Sequence, residues 1–181
     1  MKTAMKRIIG ILLILTMLTG VAFSLASCNE DGFEDYEVGG LKFRLPDYFR
    51  HRKVSFADVY YSTPEAVFEA QIWTKEEIAD EELQFEFDFS ITVEELMQFL
   101  IEENGYAESE DYVPYVYDAE RDVATFFFFY TDDLDDEYQY NHLTVLKNDN
   151  AIYVVRMLCY ESSYERFKPM FDALSMNLSV R

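Results

Sequence analysis

The chain has 181 residues, with 15 lysines and arginines against 35 aspartates and glutamates for a formal charge of −20. So acidic a surface repels nucleic acid and anionic lipid headgroups, and neither is expected as a partner. With 50% hydrophobic and 17% aromatic residues it is too apolar for a disordered chain and long enough to bury one core, so one folded domain is the natural count.

At the N-terminus Lys2, Lys6 and Arg7 precede an apolar run from Ile8 to Phe23, and no acid occurs before Glu30. This is the layout of a secretory signal, and the run falls short of the roughly 20 apolar residues that a spanning helix prefers. Leu25, Ala26, Ser27 and Cys28 follow it. They resemble the lipobox of bacterial lipoproteins, a leucine, two small residues and a cysteine. The resemblance implies that residues 1–27 are a signal peptide removed before Cys28, and that the Cys28 thiol carries a lipid. The mature chain would then be anchored, not spanning, on the extracytoplasmic face of the cell membrane. Each buried methylene contributes about 0.8 kcal/mol, so one acyl chain holds marginally and two or more hold stably. Loss of the three signal cations takes the mature part to a formal −23. Residues 28–40 are acidic, contain glycine and lack apolar periodicity, which predicts a tether of roughly 20 Å to a single domain at 41–181.

From there the pattern is mainly period two. Leu41, Phe43 and Leu45 alternate with Lys42 and Arg44 before Pro46, a half-buried strand. A second strand is expected near 54–61, then a turn at Ser62-Thr63-Pro64, and a third marked by Ala66, Phe68, Ala70 and Ile72. Leu83, Phe85, Phe87, Phe89 and Ile91 also alternate, as a strand or an extended lead into the next element. That element is a helix over 93–103. Thr92 and Glu95 make a capping box, Val93, Leu96, Met97 and Leu100 form one stripe, and Gly105 supplies the stop. A strand meander follows at 112–117, 123–131, 138–147 and 151–160, and the strand at 126–130, aromatic on both sides, is the candidate for the sheet centre. A closing helix is expected from a second capping box, Ser162 and Glu165, with Tyr164, Phe167, Phe171, Leu174 and Leu178 on its apolar side and a kink or late start at Pro169.

The fold class is therefore α+β, an antiparallel sheet of about six to seven strands flanked by two main helices. This order of elements resembles the Mog1/PsbP-like fold. The resemblance is carried by the opening Gly40-Leu41-Lys42-Phe43-Arg44-Leu45-Pro46, the Thr-Val-Glu-Glu-Leu run at 92–96 and the closing Tyr164 to Leu178 segment. It implies a mainly non-enzymatic protein that binds partners or helps assemble membrane complexes, and it carries over no functional residue.

Three features are candidate sites. Arg50, His51, Arg52 and Lys53 are the one concentrated positive patch, suited to an acidic partner or anionic ligand, or else a loop end that balances nearby carboxylates. Asp132, Asp133, Asp135 and Asp136 offer hard oxygens for calcium but lack EF-hand spacing, so a solvated hairpin turn is the plainer reading. Trp73 and the tyrosines at 60, 61, 115, 117, 138 and 140 could form an aromatic recognition surface, although period-two spacing makes them packing residues first. Cys159 lies in an apolar strand and reads as core. There is no G-x-S-x-G, no H-E-x-x-H, no phosphate loop and no cysteine cluster, so neither an enzyme nor a cofactor is expected. What remains is a non-catalytic binding or assembly lipoprotein engaging an envelope protein. The alternative is a small-ligand or metal-binding lipoprotein with a cavity between the sheet and one helix.

Overall fold

A strand with apolar residues at both odd and even positions must be covered on both sides, and that requirement organises the computed structural model. Residues 32–80, 83, 85–104, 106, 113–129 and 140–181 are described. Residues 1–31, with Cys28, and the Asp132, Asp133, Asp135 and Asp136 turn lie outside them.

The strands are β1 (Phe33–Val38), β2 (Leu41–Pro46), β3 (Arg50–His51), β4 (Val59–Ser62), β5 (Ala66–Thr74), β6 (Val116–Asp118), β7 (Val123–Phe129), β8 (Tyr140–Lys147), β9 (Ala151–Cys159) and β10 (Ser179–Val180). The helices are α1 (Lys75–Ile78), α2 (Val93–Glu103) and α3 (Tyr164–Asn177). Seven strands form one antiparallel sheet in the order β3-β4-β5-β9-β8-β7-β6. A smaller sheet, β1-β2-β10, shares no strand with it.

The alternation in β9 shows how the two sides are used. Tyr153, Val155, Met157 and Cys159 share a core with Leu41, Phe43 and Leu45 of β2 and with Phe167, Phe171 and Leu174 of α3. Ile152 and Val154 face the other way, into a core with Val93, Leu96, Met97 and Ile101 of α2. The large sheet is thus sandwiched between α3 with the small sheet on one face and α2 on the other. Arg121 ties the ends together, its Nη2 donating to the carbonyls of Ser175 and Leu178 at the close of α3.

Several sequence expectations need correction. Residues 33–38 are a strand, not tether. Tyr36 stacks on Phe43 at 5.3 Å and packs against Tyr61 at 4.7 Å, and the hairpin to β2 turns on Gly39 and Gly40, whose φ values of 55° and 88° suit glycine. A Cβ on Gly40 would meet the Tyr153 hydroxyl at 2.8 Å, and that hydroxyl donates to the Gly39 carbonyl at 2.9 Å. The central strand is β9, not the aromatic β7, which lies one strand from an edge. Residues 85–91 keep their period-two burial without joining a sheet. Lys147 Nζ donates to the carbonyls of Phe89 and Ile91, and its ammonium sits 4.6 Å from the Phe89 ring. The Thr92–Glu95 capping box forms as expected. The one expected at Ser162 and Glu165 does not, because a 3-10 turn over Glu161–Ser163 precedes α3, and Ser163 donates to Glu65 instead. Pro169 lies inside α3.

One buried polar group stands out. His142 of β8 is 0% exposed, lies against Phe127 (3.8 Å between ring centroids), and neither ring nitrogen has a hydrogen-bond partner. Burial pushes its imidazole down to about 4, with Asp172 acting in the opposite direction and Lys168 adding to the drop. In the unfolded chain the group takes up a proton near pH 6.5, whereas the folded chain refuses it until about pH 4. Stability should therefore be unaffected by this group above about pH 6.5 and should fall through that window by about 3 kcal/mol in total. Urea unfolding at pH 7 and pH 5 measures the loss, and His142→Leu should flatten the slope. An equally steep slope in that variant would place the titration elsewhere.

Candidate functional site

The face of the large sheet that carries α2 has a row of side chains running straight across it. Tyr60 of β4 pairs with Glu69 of β5, Glu69 with Arg156 of β9, Arg156 with Leu143 of β8, and Leu143 with Phe126 of β7. A direct cross-strand pair brings side chains within about 5 Å, so the two opposite charges meet. Arg156 donates from Nε at 2.7 Å and again from Nη2, both to Glu69 Oε1. The Glu69 side chain is 8% exposed and that of Arg156 44%.

Above this ion pair the sheet opens into a cavity of about 210 Å³. Its floor is Glu69, Gln71, Leu143, Val154 and Arg156, and its walls come from three directions. Trp73 stands at one end, in ring contact with Phe85 at 5.5 Å and Phe87 at 5.7 Å. Leu100 and Asn104 reach in from the end of α2, where Asn104 Nδ2 returns to the Leu100 carbonyl at 2.7 Å. Tyr106 and Phe128, stacked at 3.9 Å, close the far side. Burial raises the Tyr106 phenol, and nearby Arg156 acts against the rise, so at neutral pH the ring presents a hydroxyl and not a phenolate.

The chemistry of this lining is recognition. Glu69 and Arg156 neutralise each other. The pair still has open positions among the described residues, because both of its bonds fall on Oε1 of Glu69 and neither uses Nη1 of Arg156. A floor with one spare acceptor and one spare donor, ringed by aromatic rings, is built for a mainly apolar group with a polar tip.

Sequence reasoning pointed elsewhere. Arg50 and His51 form β3, the outer strand beside β4, and Arg52 and Lys53 follow it, all four exposed. Arg50 donates to the Asp47 carbonyl at 3.0 Å, and His51 packs edge-on against Tyr61 at 5.2 Å. The patch is a strand edge and does not line the cavity. Cys159 is fully buried and its thiol is pushed up to about 12 by burial, which makes it inert core. Among the described residues no group of three or more His, Cys, Asp or Glu is placed to hold a metal ion. The missed signal was one lone acid in the apolar run Ala66–Trp73 and one lone base in Ile152–Cys159, since opposite charges inside two buried strands mark strands that pair.

No family model matches the sequence, and no curated protein matches it. Among solved structures, the solution structure of cyanobacterial PsbP (CyanoP) from Synechocystis sp. PCC 6803 is similar. The TM-score is 0.58 at 13% identity, over 86% of this chain and 96% of that one. The fold is PsbP-like α+β, and at that identity the likeness speaks for the fold alone.

The ion pair has a measurable consequence for stability. Arg156→Met would leave the Glu69 carboxylate desolvated without its partner, at a cost of about 2 kcal/mol given the half-exposed arginine, whereas Glu69→Met with Arg156→Met removes both charges together and should cost less than about 1 kcal/mol. Urea midpoints of the single and double variants test this, and equal losses in both would show that leaving the carboxylate unpaired carries no extra penalty.

Proposed function

We propose that this protein is a non-catalytic accessory module, lipid-anchored through Cys28 at the extracytoplasmic face of the cell membrane, where it binds an envelope protein or supports its assembly. The observation that carries the binding part is the cavity over Glu69 and Arg156, with its mutually neutralised charges, aromatic walls and unused hydrogen-bonding positions. Among the described residues, its lining has no serine, cysteine or histidine to act as nucleophile or base. The address is supported by the n-region, apolar run and lipobox-like Leu25-Ala26-Ser27-Cys28. The PsbP-like fold fits the same reading, since the resemblance drawn from sequence implies binding and assembly roles.

A second reading, a small-ligand carrier, draws on the same cavity, because aromatic walls with a few convergent polar groups also describe a ligand pocket. Its size argues against that reading. About 210 Å³ lies below the roughly 300–1,000 Å³ usual for ligand and cofactor sites.

The test combines fractionation with capture. Wild-type protein should be recovered with membranes and released by detergent, while Cys28→Ser should leave the membrane fraction or retain its signal segment, as an intact-mass measurement shows. From detergent extracts the tagged wild type should bring down one envelope protein in near-stoichiometric amount, and Cys28→Ser much less of it. Wild-type protein whose intact mass carries no lipid on Cys28 would end the anchor, and solitary recovery of both would end the accessory reading.

A further inference from the structure

The accessory reading leaves open what enters the cavity, and the geometry narrows this to one kind of side chain. We infer that the cavity over Glu69 and Arg156 seats a single tyrosine presented by a basic segment of the partner protein. The inference rests on the binding-module reading above.

Size comes first. A void of about 210 Å³ is on the scale of one large side chain, and interface energetics are often dominated by such an anchor in a desolvated pocket. Shape and polarisability come next. Trp73, Tyr106 and Phe128 surround the void, and aromatic rings pair favourably in stacked or edge-on arrangements, which prefers an aromatic anchor to an aliphatic one.

The polar floor then selects among the aromatics. Glu69 Oε1 takes both bonds from Arg156, so Oε2 and the Arg156 Nη1 hydrogens are the positions that a guest must satisfy. A phenol donates one hydrogen and accepts others, so a tyrosine hydroxyl serves both charges at once. Tryptophan only donates, and phenylalanine does neither. Filling the void with phenylalanine would remove water from Oε2 and Nη1 without replacing its hydrogen bonds, which disfavours it by about tenfold or more.

Charge sets the character of the flanking segment. The chain carries −20 overall, which draws cationic partners in. Locally, Glu102 and Glu103 occupy the last turn of α2, beside Leu100 and Asn104 at the cavity, and that turn holds no basic residue. Carboxylates at a helix C-terminus oppose its partial negative charge, and a lysine or arginine from the partner relieves both. The α2 terminus is locally unfavourable alone and favourable when covered.

Trp73 is the single tryptophan of the chain and lines the cavity, so its emission under selective excitation reports filling directly. Detergent-solubilised full-length protein is titrated with acetyl-Lys-Lys-Tyr-Lys-Lys-amide and with the same peptide carrying phenylalanine or alanine in place of tyrosine. The expected result is a saturable emission change with the tyrosine peptide, an affinity about tenfold or more lower with phenylalanine, and no saturation with alanine. In Glu69→Met with Arg156→Met, which removes the acceptor and the donor together, the tyrosine peptide should fall to the level of the phenylalanine one. Glu102→Gln with Glu103→Gln, exposed positions outside the cavity, should weaken the tyrosine peptide severalfold and steepen with lower salt. Equal binding of all three peptides overturns the inference, as does N-acetyltyrosinamide binding as tightly as the basic peptide. If no peptide alters Trp73 emission, or the envelope partner is still captured at full yield by the Met/Met variant, the seat is wrong while the accessory reading stands. Loss of the partner from wild type as well would end both.

Discussion

Everything in this structure depends on covering both faces of a strand trio, β5, β9 and β8, whose pairings are the longest in the sheet. β9 is buried at nearly every position, odd and even. One face is covered continuously, because α3 and the β1-β2-β10 sheet lie side by side over it. The other face has α2, an 11-residue helix about 16 Å long, against nine-residue strands about 30 Å long. Among the described residues, that face is completed by the aromatics at 85–91, which Lys147 holds in place, and it opens where α2 stops. The cavity is the place where the cover by the described residues ends.

The Glu69–Arg156 pair follows from the same geometry. A strand position under an incomplete cover is too enclosed for a lone charge and too wet for a wholly apolar row. Two opposite charges directly across a ladder meet this condition, since register fixes their separation without help from flexible loops. The half-exposed arginine keeps broad contact with water, and the carboxylate beneath it, 8% exposed, meets water only through the cavity. Rigid strands holding both groups make this a preorganised floor, so a guest meets donors and acceptors already in place.

How much of this was legible in the sequence depended on whether a feature was local. Period-two patterning identified β2, β5, β7, β8 and β9, and the Thr92–Glu95 box fixed the start of α2, because each is decided within a few residues. The β1 strand was missed because an outer strand tolerates the acids of Phe33–Val38 that a buried one would exclude. Residues 85–91 showed the right alternation without a ladder, since alternation reports which side is buried and not what the backbone bonds to. Placing β7 at the centre failed for a related reason. Aromatic richness measured bulk, whereas β9, with smaller valines and isoleucine, is the strand that both cores enclose. The positive patch at 50–53 was conspicuous because its charges are contiguous, and contiguous charge belongs to an exposed edge. The charges that shape the cavity stand singly, 87 residues apart, and only pairing reveals them.

Acidity and the cavity also divide the work of recognition between them. A net charge of −20 acts beyond contact distance and raises encounter rates with any cationic surface, but it is screened over about 8 Å at physiological salt and distinguishes poorly among cations. The cavity acts only at contact, where one desolvated acceptor and one donor discriminate between side chains that differ by a hydroxyl. A surface so negative overall would by itself bind basic segments promiscuously. A neutralised ion pair beneath aromatic walls supplies the selectivity that the field lacks, and because Arg156 cancels Glu69 it does so without adding to the charge that attracts unwanted cations.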